Sequence, residues 1–271
     1  KGVMVDYDRL IIATGSKPFV PPVNGADLEG VMSFRDIYDV NKMIDYSTSK
    51  KNAVVIGGGL LGLEAAYGLK QRGMNVTVLH LMDRIMERQL DAKASQMLRH
   101  SIGQKGISII TQANTEELIG ENGHVTKVRL KDGQVLEADL VVFAVGIRPN
   151  MTLAQSAGLR CNRGVLVNDT MQTYDPSIYA VGECIEHRNQ TFGLVEPLWG
   201  QAFICASHLA EHGSLTFKAP TVPTQLKVSG CDVFSAGRID LDNSEANEDF
   251  EDIVLNDEKR QIYKRIIIQK D

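Results

Sequence analysis

The stretch Asn52–Glu64, N-A-V-V-I-G-G-G-L-L-G-L-E, constrains this chain more than any other. An apolar run, Ala53–Ile56, enters a glycine cluster and leaves it as a helical segment, Leu60–Gln71. A second strand pattern follows at Asn75–His80. Gly57, Gly59 and Gly62 fit G-x-G-x-x-G, and strand–glycines–helix–strand is the βαβ context in which that motif binds a dinucleotide. In this reading Gly57 makes the tight turn, Gly59 lets the backbone approach a pyrophosphate, and Gly62 lets the helix pack close on the strand. The unpaired N–H groups at the helix start, with Leu60 and Leu61 in its first turn, then face the phosphates at the positive end of the helix dipole. The bland alternative is a glycine-rich turn with no ligand.

At 271 residues the chain has room for about two domains. The formal net charge is −5 and no basic stripe is present, which argues against nucleic acid as a partner. No apolar run approaches the roughly 18 residues of a membrane helix, and no signal-peptide pattern opens the chain. Cys161, Cys184, Cys205 and Cys231 lie more than 20 residues apart, without C-x-x-C spacing, so no zinc or iron–sulfur site of familiar spacing is expected. Four reduced cysteines in a cytoplasmic protein is the simplest account. The start at Lys1 and the finish in an apolar strand, Ile266–Ile268, read as an excerpt of a longer protein.

Three apolar runs end in Ala-x-Gly: Leu10–Gly15, Val141–Gly146 and Ile178–Gly182. Small residues at the carboxyl end of a strand leave room for a ligand or a sharp turn, and ligands of open α/β sheets bind beyond those ends. Helices are expected at 34–46, 60–71, 92–105 and 194–212, and strands at 53–56, 76–79 and 107–111. A meander is expected at 116–119, 125–130 and 135–136, with Glu121-Asn-Gly123 and Lys131-Asp-Gly133 as hairpin turns. Asp139–Val145, apolar throughout after its first residue, reads as a buried strand closing a nucleotide domain over 31–146. Proline-rich crossings fall at 16–22, 148–150 and 218–223. Strands are expected at 225–234 and 262–268, and the acidic 242–252 run reads as a solvated loop. The fold class is therefore α/β, of Rossmann-like three-layer ββα dinucleotide-binding domains with the start of a small α+β C-terminal domain.

Together these stretches resemble the glutathione-reductase-like FAD/NAD(P)-dependent pyridine nucleotide oxidoreductases. The matching elements are Tyr7–Pro18, Gly57–Glu64, Asp139–Asn150 and Ile178–Glu183, in that family's order. Within the class, His80–Asp91, Glu196–Ala202 and Pro223–Gly237 are most similar to the flavoprotein part of NAD(P)H-dependent nitrite reductase large subunits. The resemblance implies a FAD domain split into 1–30 and 147–217 around the NAD(P)H domain 31–146, with an incomplete small domain from 218 to 271. It implies FAD and NAD(P)H as cofactors, and an iron–sulfur cluster and sirohaem outside this chain. Partners would be downstream redox domains or a small subunit, with a homodimer possible. The activity implied is hydride transfer from NAD(P)H to FAD and onward to metal centres, for reduction of nitrite to ammonia. A rubredoxin- or ferredoxin-type reductase and a non-catalytic nucleotide-binding module are the alternatives.

The same resemblance points to particular residues. Glu64 corresponds to a glutamate that orients the nicotinamide carboxamide; otherwise it is a first-turn acid favoured by the helix dipole. His80 stands where a dinucleotide fold places the ribose-binding acid. A neutral ring could bond a ribose, and a cationic one with Arg84 could accept a 2′-phosphate, so NADH and NADPH remain open; an exposed histidine at a strand end is the bland reading. Glu183 takes the place of the family's flavin-contacting aspartate after Gly182. Trp199 and Gln201 match a stretch beside the flavin ring, though Trp199 could equally be core. Thr14 and Gly15, with Gly146 and Arg148, should border the cofactors. Cys184 reads as a buried small hydrophobe, and His208-x-x-x-His212 as a helix face rather than a metal pair.

Overall fold

The computed structural model describes residues 2–211, 213–226, 230–241 and 249–270; His212 and residues 242–248 of the acidic run lie outside them. The first strands are β1 (Leu10–Ile12), β2 (Ser16–Pro18) and β3 (Val31–Ser33), followed by α1 (Ile37–Ser49), β4 (Asn52–Ile56), α2 (Leu60–Gln71), β5 (Asn75–Leu79), α3 (Ala92–Gln104) and β6 (Ile107–Ile110). Next come β7 (Thr115–Glu121), β8 (His124–Leu130), β9 (Val135–Glu137), β10 (Leu140–Phe143), β11 (Ile147–Pro149), α4 (Thr152–Ser156), β12 (Val165–Val167), β13 (Ile178–Ala180), β14 (Ile185–His187) and β15 (Gln190–Thr191). The last elements are α5 (Val195–Leu209), β16 (Thr224–Leu226), β17 (Val233–Ser235), β18 (Phe250–Asp257) and β19 (Ile262–Gln269). Two compact units result, one of Lys1–Phe19 with Gly146–Val222, the other of Val20–Val145 with Pro223–Asp271.

The second unit carries the glycine motif. Its middle layer is a five-stranded parallel sheet in the order β3-β10-β4-β5-β6. Successive strand residues point to opposite faces, so these apolar strands feed two cores. Ala53, Val55, Val76, Val78, Leu140 and Val142 pack with Leu63, Leu69, Leu98 and Ile102 of α2 and α3. Val54, Ile56, Leu79, Val141 and Phe143 pack instead with Leu118, Val125, Val128 and Leu130 of the β7–β8–β9 meander. Meander, parallel sheet and helices are the three layers of the Rossmann-like class. Asn122 and Gly123 both take positive φ, 52° and 82°, as a two-residue primed hairpin requires. Residues 20–30 also belong here: Leu118 N–H donates to the Asn24 carbonyl at 2.8 Å, and Leu28 lies against the meander core.

Helix α1 starts three residues later than the apolar pattern suggests, because the Asp36 carboxylate caps Tyr38 and Asp39 N–H and fixes the boundary. At the far end of the unit two expectations are corrected. Instead of one strand over 225–234, β16 and β17 pair antiparallel. Glu251 and Asp252, read as part of a solvated loop, lie in β18, where Arg265 of β19 holds Asp252 at 2.8 Å. The charge of Asp252 is neutralised across the ladder, which local composition could not reveal.

In the other unit β1 pairs parallel with β13, β2 antiparallel with β11, and β14 bridges β12 and β15. Ile12, Ile178, Ala180, Ile185, Ile204 and Cys205 form its core. Helix α5 carries Pro197 within its first turn, where a missing N–H costs nothing. Cys184 is fully buried, its thiol directed at the Val181 carbonyl at 3.2 Å.

Candidate functional site

The three motif glycines meet different surroundings. A Cβ on Gly57, whose φ is +124°, would lie 2.3 Å from the Ala144 carbonyl oxygen, and one on Gly62 only 1.8 Å from that of Gly57. These two glycines are demanded by the packing of strand, turn and helix. A Cβ on Gly59 would meet nothing within 4 Å. Gly59 is the N-cap of α2, and no side chain caps that helix start. The first-turn amides, those of Leu60 and Leu61 included, therefore face an opening that a side chain at 59 would fill, the arrangement a diphosphate needs. Glu64 lies one turn further along, half-buried, and burial pushes its carboxyl pKa up.

His80 follows β5 directly, but its ring is buried rather than exposed. Gly58 N–H donates to Nδ1 at 3.0 Å, and Nε2 faces Glu87 Oε2 at 3.0 Å. Both nitrogens are thus engaged by the protein. Arg84 stands between Asp83 and Asp240, 3.9 Å from each carboxylate. Of the two methionines in this loop, Met86 is core and Met82 exposed. Glu87 drew no attention in the sequence; the signal available was the missing strand-end acid, which invites a search for a carboxylate in the loop that follows.

In the unit built on β1 and β13, Thr14 Oγ1 donates to the Asn150 carbonyl at 2.6 Å, and Asn150 N–H returns a bond to Gly15 at 2.8 Å. Ser16 Oγ donates to Glu183 at 2.7 Å. Thr14, Gly15 and Glu183 are thereby joined at the carboxyl ends of the two parallel strands. Gly15, Gly146 and Gly182 all have positive φ, and a Cβ on any of them would meet nothing within 4 Å. Arg148 stacks its guanidinium 3.9 Å over the Phe19 ring. Gln201 is completely buried; its Oε1 accepts from Gly182 N–H at 2.8 Å, while its Nε2 has no partner among the described residues. A buried amide donor without an acceptor is costly, and it marks a place for a polar ligand atom or a water. Trp199 is 73% exposed, so it is not a core residue. His208 Nδ1 is bonded to Tyr179 Oη at 2.8 Å. Among the described residues no group of His, Cys, Asp or Glu is arranged to hold a metal ion, and no helix is long and apolar enough to cross a membrane.

Comparison with known proteins decides the family. The description "Pyridine nucleotide-disulphide oxidoreductase" matches residues 1–202, about three quarters of the chain. The chain belongs to the pyridine nucleotide-disulphide oxidoreductase family. A second match, to the rubredoxin NAD+ reductase C-terminal domain, covers residues 223–271. Nitrite reductase [NAD(P)H] of Bacillus subtilis (strain 168) is 50% identical over 263 residues, which are 97% of this chain and 32% of that protein. The chain thus spans about a third of the length of that relative. Among solved structures of this oxidoreductase family, a NAD-dependent persulfide reductase from A. fulgidus matches at TM-score 0.86 and 28% identity, over 98% of this chain and 52% of that one. A FAD-dependent pyridine nucleotide-disulphide oxidoreductase from Desulfovibrio vulgaris matches at TM-score 0.80 and 30% identity, over 98% and 68%.

Proposed function

We propose that this chain is the pyridine-nucleotide-handling part of an NAD(P)H-dependent flavoprotein oxidoreductase whose whole length reduces nitrite to ammonia. The observation that carries the reading is the uncapped start of α2 beside the open Gly59. The nitrite reductase identity of 50% supports the choice of acceptor. In this reading 31–146 binds NAD(P)H with residues 20–30 packed on it, 1–19 and 147–217 contribute to a flavin domain, and 218–271 belong to a small domain.

Bound together, NAD(P)H and FAD supply hydride transfer and the change from two-electron to one-electron chemistry. The chain's own residues bind and orient. Gly57 and Gly62 set the turn and the helix, and Gly59 leaves room for the diphosphate on the amides of Leu60 and Leu61. Glu64 is assigned to the nicotinamide carboxamide, and its partial burial pushes the carboxyl pKa up. On the flavin side Glu183, braced by Ser16, and the spare Nε2 of Gln201 are the polar contacts. Thr14, Gly15, Gly146, Arg148, Gly182 and Trp199 border that site. In the full-length protein an iron–sulfur cluster and sirohaem in downstream redox domains, or a small partner protein, would supply the one-electron acceptors; a homodimer is compatible with either.

The G-x-G-x-x-G pattern occurs once in this sequence. A second diphosphate therefore lacks such a cradle, and this chain by itself should bind NADH and retain flavin weakly. Titration of the purified chain with NADH, followed by nicotinamide fluorescence, tests the first point; stoichiometric FAD carried through purification would refute the second. The match of 223–271 to the rubredoxin NAD+ reductase C-terminal domain favours a second reading, a reductase of a small iron–sulfur carrier. Nitrite consumption by the full-length protein with NADH separates the two.

A further inference from the structure

The acid that a dinucleotide fold normally presents at the end of its second strand, to accept the adenosine ribose hydroxyls, is absent here, and His80 occupies the position. The ring does not take over the task. A backbone N–H can only donate, so Nδ1 of His80 must be the acceptor for Gly58 N–H, and the proton of the neutral ring sits on Nε2. That proton points at Oε2 of Glu87, 3.0 Å away. The loop that delivers Glu87 is fixed on the glycine turn by two further features. Met86 N–H donates to the Gly58 carbonyl at 3.0 Å, and Met86 itself is held at φ +50°, a conformation a non-glycine residue adopts only when its surroundings impose it. A Cβ on Gly58 would lie 2.8 Å from Ile85 and 2.9 Å from His80, so this loop and ring cover Gly58 closely. Glu87 is 25% exposed at the side chain, so its carboxylate is both anchored and reachable.

We infer that Glu87, seven residues beyond the usual place, is the acceptor for the adenosine ribose diol, and that His80 is its positioning residue. The inference rests on the reading of the glycine loop as a dinucleotide site. The consequence is discrimination: a carboxylate there bonds the free 2′-hydroxyl of NADH and repels the 2′-phosphate of NADPH. Arg84 does not offset this, because its guanidinium lies between Asp83 and Asp240. Arg88 is exposed, 3.9 Å from Oε1 of Glu87, and is the cation that would favour NADPH if Glu87 lost its charge.

The test measures dissociation constants of the whole chain for NADH and for NADPH by calorimetry, with thermal melting to verify folding. The native chain should prefer NADH by about tenfold or more, and Glu87→Gln should narrow the gap to about threefold or less, mainly by improving NADPH. His80→Asn, which keeps an acceptor for Gly58 N–H and loses the reach to Glu87, should behave like Glu87→Gln. His80→Gln, which sets an amide donor near the position of Nε2, should keep the preference. A purely structural histidine would alter melting in both variants without changing the ratio. Equal binding by the native chain, a preference for NADPH, or a ratio unmoved by Glu87→Gln would each overturn the inference while leaving the dinucleotide site intact. Binding of neither nucleotide by a folded native chain would instead overturn the site itself, and this inference with it.

Discussion

Gly59 and Gly62 are three residues apart and answer to different constraints. Gly59→Ala places its methyl in an opening, so it should cost under about 1 kcal/mol of stability, the loss of a modest cap preference, yet weaken NADH binding at least tenfold. Gly62→Ala drives a methyl to 1.8 Å from a carbonyl oxygen and should cost about 1–3 kcal/mol or more, seen as a lower melting temperature before any ligand is added. Melting and nucleotide titration of the two variants side by side give opposite orders of severity. The division of labour among the glycines could be read from their spacing. The orientation of His80 could not, because it depends on a carboxylate seven residues later and on an amide 22 residues earlier in the chain. In the other unit, Asp169 is bonded by Arg188 and by His187, which bring its pKa down from 3.8 to about 2. A lowered carboxyl pKa stabilises the fold above its ordinary value, and that contribution fades as pH falls from about 4 toward 2. Asp169→Asn should therefore flatten the acid side of a stability–pH curve over that window and leave its neutral side parallel to the native one.

Among the elements, α3 and the β18–β19 hairpin are tied by the Lys93–Glu258 ion pair and, more deeply, through Asp91. Asp91 caps α3 by accepting from Ala94 N–H at 2.8 Å, and its other oxygen accepts from Tyr263 Oη at 2.6 Å and from Arg265 at 3.1 Å. Burial pushes the Asp91 carboxyl pKa up, but these three donors outweigh it and the net shift is down. Burial and the bond to Asp91 together push the Tyr263 hydroxyl up to about 12. Asp91→Ala removes a cap and leaves a mostly buried guanidinium short of one partner, so about 2–4 kcal/mol of stability should be lost in chemical denaturation. Tyr263→Phe removes one neutral donor and should cost about 1 kcal/mol. The helix pattern of α3 was plain from its spacing. Its long-range partners were not, since Asp252 and Arg265 become a pair only once β18 and β19 are in register. The acidic composition of the run ahead of them pointed toward a loop.

At the scale of the whole chain, each compact unit has its own apolar core. Calorimetric unfolding should accordingly resolve two transitions. NADH at about 100 times its dissociation constant should stabilise the unit that holds the glycine loop by about 2.7 kcal/mol and leave the other in place. A uniform upward shift of both transitions would refute that assignment. The layered class of this unit was legible because periodicity reports which faces are buried, and β4 and β10 are apolar on both. That double burial has a cost in adaptability. With one side of each strand sealed by helices and the reverse by the meander, a single inserted residue between 140 and 143 would exchange the tenants of two interiors at once. Insertions should be tolerated only at the rims, at turns such as Glu121–Asn122–Gly123, where a strand can grow or shrink without reassigning a buried side chain.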